Sequence, residues 1–293
     1  MSDDSGAGGR IGTVRWRACT HPGRFRKQNQ DAFLALALNR EEVFRLGKVG
    51  EGPVSPQDFI FAVSDGMGGA KAGEFASRIA VDRITRLFPR SFETGALGFG
   101  RDFQNILLEL FDGIHREMLQ LSETYEECRG MGATLTLCWV TPEWTYFAHL
   151  GDSRLYYYGS AGELRQVTHD HTHAGWLRRQ GKINERQERS HPTGHQLQQV
   201  LGGGVHRIEP QVGAIGLEAG DRFLLCSDGL ILGHWDRGLA EYLGKADFQE
   251  EDLAERLVAQ ANRVSGRDNT TALLFEVWAA EDPAEPVAPA EPG

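Results

Sequence analysis

Cysteine is scarce in this sequence and long apolar runs are missing, and each shortage excludes a class of protein. The chain has four cysteines and no CxxC pair, so neither a zinc knuckle nor a disulfide framework is indicated. No apolar run approaches the roughly 18 residues of a membrane span. The N-terminal MSDDSGAGGR lacks the basic start and apolar segment of a signal peptide. We therefore expect a cytoplasmic protein that does not bind a membrane.

Positive charge is also in short supply. The 31 Lys and Arg residues against 41 Asp and Glu residues give a formal net charge of -10, which argues against binding to nucleic acid or to an anionic membrane. With 293 residues, of which 40% are hydrophobic, the chain can bury a sizeable core. We expect a single domain, a monomer, and no nucleic-acid partner.

The two ends of the chain are poor in large apolar residues. Residues 1–11 are rich in Gly, Ser and Asp, and residues 279–293 in Pro, Ala and Glu, so we expect a flexible N-terminal tail and a disordered C-terminal tail around a folded domain at 12–278. Residues 168–200 are strongly polar and predict a partly helical excursion on the surface. We expect the three histidines of its first part, His169, His171 and His173, to be solvated.

Hydrophobic periodicity indicates strands along most of the domain. They are predicted at 13–19, 32–38, 59–64, 133–140, 145–150, 154–158, 222–227 and 271–278. Helical spacing predicts helices over 71–88, with Phe75 on the apolar face, 102–122 and 251–264. Several connections are too short for parallel crossovers. The expected fold class is therefore α+β, with antiparallel strands and helices on the outer sheet faces.

Five aspartates stand at the ends of apolar strands: Asp31, Asp65, Asp152, Asp228 and Asp268. A carboxylate beside a core is costly to ionise unless it meets a cation or several donors, and five together would repel one another. Hard cations such as Mg²⁺ and Mn²⁺ relieve both problems because they take oxygen ligands. The strand-end aspartates therefore predict a metal centre.

The glycines after one of these aspartates fit the same interpretation. Gly66-Met67-Gly68-Gly69 leaves a backbone carbonyl open as a ligand and lets a bulky substrate approach closely. A single Asp-Gly pair is more often an ordinary turn. Asp268 alone fits a turn that caps its own backbone, and Asp152 alone fits a pair with Arg154. The coincidence of five placements, together with more glycine after Asp65 than a turn requires, favours metal binding.

Six motifs carry a resemblance to a known family. The motifs are RKQNQD at 26–31, SDGMGG at 64–69, GMGATL at 130–135, GDSR at 151–154, SDG at 227–229 and GRDNT at 266–270. Their order resembles that of the type 2C metal-dependent serine/threonine protein phosphatases, in the form found in bacteria, and an ordered set this long is specific. The resemblance implies that 12–278 is the catalytic domain, folded as a central antiparallel β-sandwich between two layers of helices.

The resemblance also implies roles for individual residues. Two Mn²⁺ or Mg²⁺ ions would be held by Asp65, which bridges them, by the carbonyl of Gly66 at the second site, and by Asp228 and Asp268 at the first. Asp31 would orient a metal-bound water, and Arg26 would bind the phosphate. In bacterial relatives the aspartate that matches Asp152 helps to form a third, weaker site together with the one that matches Asp228.

The implied activity is hydrolysis of phosphoserine and phosphothreonine in phosphorylated proteins, substrates of a serine/threonine kinase, by direct attack of the metal-bridging water or hydroxide. Two departures from the family pattern are visible: Gln30 stands where Glu is frequent, and Met67 where eukaryotic members have a histidine. Two alternatives remain open at this point. One is a catalytically silent, phosphatase-like binding module, and the other is a two-metal phosphodiesterase, which the negative net charge disfavours for nucleic-acid substrates.

Overall fold

The computed structural model describes residues 11–39, 42–96 and 102–280. The predicted tails fall almost wholly outside these ranges. The described strands are β1 (Ile11–His21), β2 (Asp31–Leu38), β3 (Val43–Arg45), β4 (Val49–Pro53), β5 (Asp58–Met67), β6 (Gly132–Ala133), β7 (Leu135–Val140), β8 (Trp144–Leu150), β9 (Arg154–Tyr158), β10 (Leu164–Gln166), β11 (Leu201–Gly202), β12 (Gln211–Gly216), β13 (Arg222–Cys226) and β14 (Thr270–Ala279).

The described helices all lie in connections between strands. They are α1 (Ala70–Ala96), α2 (Phe103–Thr124), α3 (His173–Arg179), α4 (Glu185–Arg189), α5 (Asp228–Gly233), α6 (Asp236–Gly244) and α7 (Leu253–Val264), with a short 3₁₀ turn at Glu126–Cys128. None of them, in the ranges described, has the length and apolar character needed to cross a membrane.

The strands form two antiparallel sheets. In the first sheet the order is β10-β9-β13-β14-β1-β4, and in the second it is β11-β6-β5-β7-β8-β12, with β2 paired to β5 and β3 paired to β2. Three pairs joined by short connections, β2–β3, β7–β8 and β9–β10, are antiparallel neighbours, as such connections predict. β8 and β9 are also joined by a short connection, but they lie in different sheets. The antiparallel arrangement expected from the sequence is confirmed.

Three hydrophobic clusters define four layers. The cluster between the two sheets contains a row of aromatic rings, in which Phe275 stacks on Phe61 at 4.8 Å and on Phe223 at 4.5 Å. A second cluster joins one sheet to α1 and α2, and a third joins the other sheet to α5, α6 and α7. Because each sheet buries both faces, its strands are continuous apolar runs. The fold is the predicted α+β sandwich with helices on both outer sides.

The apolar face of α1 differs from the prediction. Phe75 is 49% exposed, and the buried residues are Ala72, Ala76, Ala80 and Ile84, at intervals of four. These small side chains let α1 lie close against β5, so the prediction that Phe75 faces the core is wrong. The bulk of Phe75 is a poor guide here, because in a helix the i, i+4 positions decide which residues share a face.

The polar segment 168–200 is partly helical, with α3 and α4, but it is less solvated than expected. His169 and His173 are exposed, whereas the His171 ring stacks on buried His149 at 5.0 Å and accepts a hydrogen bond from the backbone N–H of Gly151 at 3.0 Å. The expectation that His171 is solvated is therefore wrong. Burial lowers the pKa of His171 to about 4, so it is a neutral packing residue.

Candidate metal centre

Four of the five strand-end aspartates line one open cleft of about 450 Å³, together with Arg26 and Gly66. These aspartates are Asp65, Asp152, Asp228 and Asp268. The fifth, Asp31, lies directly beside Asp65, because the two residues are paired across β2 and β5. Five positions spread over more than two hundred residues thus meet at one end of the sandwich.

Asp31 is buried, and among the described residues only one of its two carboxylate oxygens has hydrogen-bond partners. Its Oδ2 accepts hydrogen bonds from the hydroxyls of Ser227 and Thr271, each at 2.7 Å, which fixes the carboxylate. Its Oδ1 is buried and has no hydrogen-bond partner in the part of the chain that the structure describes. Such an oxygen is costly unless a ligand or a water meets it.

The backbone N–H and carbonyl of Asp65 both form hydrogen bonds with Thr134. Its N–H donates to Thr134 Oγ1 at 3.0 Å, and its carbonyl accepts from the Thr134 N–H at 2.8 Å. Thr134 is the residue at which the single strand predicted over 133–140 divides into β6 and β7. The interruption leaves the Thr134 side chain free to fix the backbone at Asp65.

Gly66 has a steric reason to be glycine. A Cβ at this position would lie 1.9 Å from the carbonyl oxygen of Gly73 and 3.0 Å from that of Gln30. Gly68, with φ of 111°, adopts a conformation that L residues with a side chain rarely take. The glycines therefore let the start of α1 fold against the β2 side of the cleft and keep the backbone after Asp65 bare.

Asp228 also carries an unsatisfied oxygen. Its Oδ1 is buried without a hydrogen-bond partner among the described residues, while Oδ2 lies 3.9 Å from Nδ1 of His195, whose side chain is 71% exposed. His195 belongs to the polar segment 168–200, and its place in the cleft was not predicted. Nothing in the sequence around it distinguishes it from the other histidines of that segment.

Asp268 is the one member of the cluster that the chain itself neutralises. Its Oδ2 accepts from the Arg26 guanidinium at 2.7 Å, and its Oδ1 accepts from the N–H of Asn269 at 2.9 Å. The second contact is local, but it goes to the next residue, whereas the turn alternative needs the N–H two residues on. The first places Arg26 in the cleft, with its side chain 51% exposed.

The alternative pairing of Asp152 with Arg154 is not what the structure shows. Arg154 is buried and forms a forked ion pair with Asp170, with its Nη2 2.7 Å from Asp170 Oδ2. It also reaches Glu188 at 3.4 Å. Asp152 is buried at the wall of the cleft, so the pairing that would make it structural is taken by another carboxylate.

The buried aspartates of the cluster outnumber the cations near them, and their pKa values are raised. Burial raises the pKa of Asp31 to about 7; hydrogen bonds from Ser227 and Thr271 oppose the shift, and the charges of Asp228 and Asp268 add to it. Burial, and then Asp268, raise the pKa of Asp228 to about 6. Burial and neighbouring aspartates also raise the pKa values of Asp65 and Asp152 well above the usual range. A bound cation would reverse these shifts.

The residues present fit hard divalent ions, although not as a closed cage. Among the described residues, no group of three acidic, histidine or cysteine side chains is placed to hold an ion by itself. Mg²⁺ and Mn²⁺ suit such a site because they accept carbonyl oxygens and retain several waters. The buried, unpartnered Oδ1 atoms of Asp31 and Asp228 are oxygens of the type that such ions, or their waters, would satisfy.

Comparison with known proteins places this arrangement in a family. The model of the protein phosphatase 2C family matches residues 52–276. The serine/threonine phosphatase stp of Listeria monocytogenes serotype 4b is 32% identical over 217 residues, which cover 74% of this chain and 84% of that protein. The protein phosphatase PhpP of Streptococcus pneumoniae serotype 2 is 30% identical over 250 residues, covering 80% of this chain and 97% of that protein.

Solved structures agree with the sequence matches. The catalytic domain of the serine/threonine protein phosphatase PstP, in complex with two manganese ions, aligns with a TM-score of 0.70 at 28% identity and covers 91% of this chain and 99% of that one. Stp1 from Staphylococcus aureus aligns with a TM-score of 0.75 at 26% identity over 93% of this chain and 98% of its own. Since the family model spans most of the chain and the relatives are matched along most of their length, this chain belongs to the protein phosphatase 2C family.

Proposed function

We propose that this protein is a metal-dependent protein serine/threonine phosphatase that hydrolyses phosphoserine and phosphothreonine in proteins. The observation that carries the proposal is the set of four aspartates lining one open cleft whose lining also contains Arg26 and Lys27. Such a site attracts divalent cations, and cations attract a phosphate. The names of the relatives, three of them called serine/threonine phosphatases, support the same activity.

The placement of the oxygens supports the ligand roles that the family resemblance implies. Asp65 and the carbonyl of Gly66 supply adjacent oxygens at the end of β5, and Asp228 and Asp268 supply the others. Bound Mn²⁺ or Mg²⁺ would lower the pKa of a coordinated water and offset charge on the phosphoryl group. Two such ions are proposed here, as in the PstP complex.

The chain's own side chains position the reactants. Asp31 is fixed through Oδ2 by Ser227 and Thr271, which leaves Oδ1 to accept a hydrogen bond from the attacking water and to hold its orientation. Arg26 is more than half exposed, so its guanidinium can exchange Asp268 for the oxygens of a phosphate, which its planar fork fits in pairs.

A third, weaker ion site at Asp152 and Asp228 is also proposed. Both aspartates line the cleft, and the charge of Asp228 raises the pKa of Asp152 after burial, the larger cause. Arg154, the cation expected to neutralise Asp152, is committed to Asp170. Among the described residues no arginine or lysine forms an ion pair with either aspartate, and the nearest basic side chain is His195, 3.9 Å from Asp228.

The two alternative functions are less well supported. A silent binding module would have no need of all five aspartates, and every one of them is present and placed at the cleft or beside it. A phosphodiesterase for nucleic acid would need a basic groove, whereas the chain carries a net charge of -10.

A substrate panel separates the three functions. We expect the protein to hydrolyse p-nitrophenyl phosphate and a phosphothreonine peptide when Mn²⁺ or Mg²⁺ is added, to lose this activity after chelation, and to leave bis-p-nitrophenyl phosphate almost untouched. Full activity after exhaustive EDTA treatment and metal-free dialysis would refute the proposal. Calorimetric titration with Mn²⁺, on wild type and on Asp152→Ala, tests the third site: the variant should lose one weak binding event, keep the tight ones and have a strongly reduced kcat.

A further inference from the structure

A second concave surface lies beside the metal centre and is not used by the proposed reaction. It is a groove of about 900 Å³ between α4, α6 and the end of α7. We call it the α4–α6 groove and define it by six of its lining residues: Arg186, Arg189, Leu232, Trp235, Arg237 and Val264. An aromatic ring, two aliphatic side chains and three guanidinium groups thus share one open surface.

The groove and the catalytic cleft both adjoin one narrow cavity. Arg189 and Leu232 line both the groove and a narrow cavity of about 50 Å³. The other wall of that cavity includes Asp152, His195 and Asp228, which also line the catalytic cleft. We therefore take the groove as the surface that a substrate polypeptide would meet next along the protein after placing its phosphate at the aspartates, since an extended chain advances about 3.3 Å per residue.

The floor of the groove is rigid. The Arg189 guanidinium lies over the Trp235 ring at 4.2 Å. The same guanidinium pairs with Glu185 at 2.6 Å and donates to the backbone carbonyls of Ile231 and His234. Trp235 remains 50% exposed. The chain has thus fixed an indole with one face occupied and half of its surface open, which suits an apolar or aromatic anchor.

Two further arginines at the groove are available to a ligand. Arg186 is exposed and has no ion pair within the ranges that the structure describes. Arg237 is 90% exposed, and its one ion pair among the described residues is with Glu241, 3.1 Å away on the same helix and also part of the groove lining. Such exposed pairs contribute about 0.3–0.5 kcal/mol and exchange easily. The lining therefore presents guanidinium groups that can be shared with carboxylates, on a molecule whose net charge is -10.

We propose that the α4–α6 groove binds the acidic polypeptide that flanks the phosphorylated residue of the substrate. The inference rests on the proposed phosphatase function and extends it to substrate class: phosphoproteins with Asp or Glu residues, and an apolar side chain, a few positions from the phosphate. Arg186 and Arg237 pair with the carboxylates, because a guanidinium fork matches a carboxylate. Trp235 receives the apolar side chain.

The test compares peptides that share one phosphothreonine and differ only in their flanks, which are acidic, neutral or basic. The groove variant is Arg186→Ala/Arg237→Ala. The matched control is Arg45→Ala/Arg207→Ala, which removes two exposed, ion-paired arginines that line neither the groove nor the cleft. Steady-state kinetics are measured on each peptide and on p-nitrophenyl phosphate, and fluorescence anisotropy reports binding of the labelled acidic peptide without turnover.

We expect wild type to have its lowest KM for the acidic peptide. The groove variant should raise that KM, and weaken the anisotropy binding, about fivefold, as the loss of two exposed charge pairs predicts. Its kinetics on p-nitrophenyl phosphate and on the neutral peptide should stay at wild-type values, and the control variant should change nothing beyond a small, flank-independent effect of net charge. The preference should also weaken as salt screens the charges, over a distance of about 8 Å at physiological ionic strength.

Two results would overturn the inference: equal KM values for the three flanks in wild type, or an equal loss of acidic-peptide binding in the groove and control variants. Failure of the phosphatase proposal is a separate result, because it would show as an absence of metal-dependent p-nitrophenyl phosphate turnover in wild type. In that case the anisotropy measurement still decides whether the groove prefers acidic peptide.

Discussion

Two clusters of acidic side chains adjoin the same narrow cavity and are built on opposite plans. One is the metal-centre cluster of Asp31, Asp65, Asp152, Asp228 and Asp268. The other, which we call the arginine-matched cluster, consists of Asp170, Glu188 and Asp236 with the cations Arg154 and Arg178. Both contribute side chains to the cavity. They differ in the source of the positive charge that compensates their carboxylates.

In the arginine-matched cluster every carboxylate has a partner from the chain. Arg154 binds Asp170, and Arg178 joins Glu188 to Asp236 at 2.5 and 2.6 Å. In the metal-centre cluster, as far as the structure describes the chain, Arg26 is the one arginine that pairs with an aspartate, through an exposed contact, and the exposed His195 lies 3.9 Å from Asp228. Acidic density by itself therefore does not identify a functional site; carboxylates left without cations do. Substitutions in the two clusters should consequently have different effects, of which the loss of a metal-centre carboxylate is the largest.

Removing a carboxylate from the metal-centre cluster should abolish activity without harming the fold. For Asp65→Asn we expect a loss of more than about 100-fold in kcat/KM, above the 10- to 100-fold typical of outer-shell metal-site changes. The metal-free variant should unfold at the same or a higher denaturant concentration than metal-free wild type, because the substitution removes a charge that its neighbours repel. Kinetics with Mn²⁺ and urea unfolding after chelation measure the two effects. Loss of cooperative unfolding would mean that Asp65 is structural.

The strand-end aspartates could be found in the sequence because position and chemistry coincide. A strand that is apolar throughout and ends in Asp-Gly is a local pattern, and the α+β sandwich follows from the short connections between such strands. The elements missed have no such pattern: β4 and β12 are glycine-containing and poorly buried, and β11 has two residues.

The arginine-matched cluster was missed for a different reason. Its members come from β9, α3, α4, α6 and the loop that holds Asp170. The polar composition of 168–200, where three of them lie, favours solvation unless the partners are known. The position of Arg154 after Asp152 pointed to the wrong pairing, because proximity in sequence cannot show that Asp170 folds back onto Arg154. The roles of individual site residues remain predictions for the same reason.

Breaking a pair in the arginine-matched cluster should have the opposite outcome to Asp65→Asn. Asp170→Ala leaves the buried Arg154 without its forked partner, and we expect it to lower the free energy of unfolding by about 3–5 kcal/mol. Chelated protein should show the whole loss in urea unfolding. The double variant Arg154→Met/Asp170→Leu should recover much of it, since an apolar replacement leaves no unpaired charge. An unchanged unfolding midpoint for Asp170→Ala would mean that the Arg154–Asp170 pair does not stabilise the fold, and the predicted difference between the two clusters would then be wrong.

The buried carboxyl of Asp31 and the buried histidines His149 and His171 should change the stability of the fold with pH in opposite directions. The folded pKa of Asp31, about 7, exceeds the usual value of about 4, so the metal-free folded state binds more protons and this group lowers stability as pH rises through that window. His149 and His171 have lowered pKa values, chiefly through burial, and act with the opposite sign. The informative quantity is therefore the difference between Asp31→Asn and wild type.

We expect Asp31→Asn, which keeps an oxygen for Ser227 and Thr271, to gain stability relative to metal-free wild type as pH is raised from about 4 to about 8. The histidines are the same in both proteins, so their contribution cancels in the comparison. Urea midpoints measured at several pH values give the difference directly. A difference that does not change with pH would show that the Asp31 carboxyl titrates normally, and a decrease would reverse its proposed sign.

The smallest expected effect concerns Arg26, whose guanidinium pairs with Asp268 of the metal-centre cluster. If Arg26 holds the phosphate equally in the ground and transition states, Arg26→Ala should raise KM with kcat nearly unchanged. The side chain is 51% exposed, so we expect about tenfold, the low end for a charged hydrogen bond. Arg26→Lys should fall between, because it keeps the charge and loses the fork. If Arg26→Ala keeps wild-type KM and kcat, Arg26 is an ordinary surface residue without a role in the reaction. If kcat falls while KM stays unchanged, Arg26 acts through its contact with Asp268 and not by binding the phosphate.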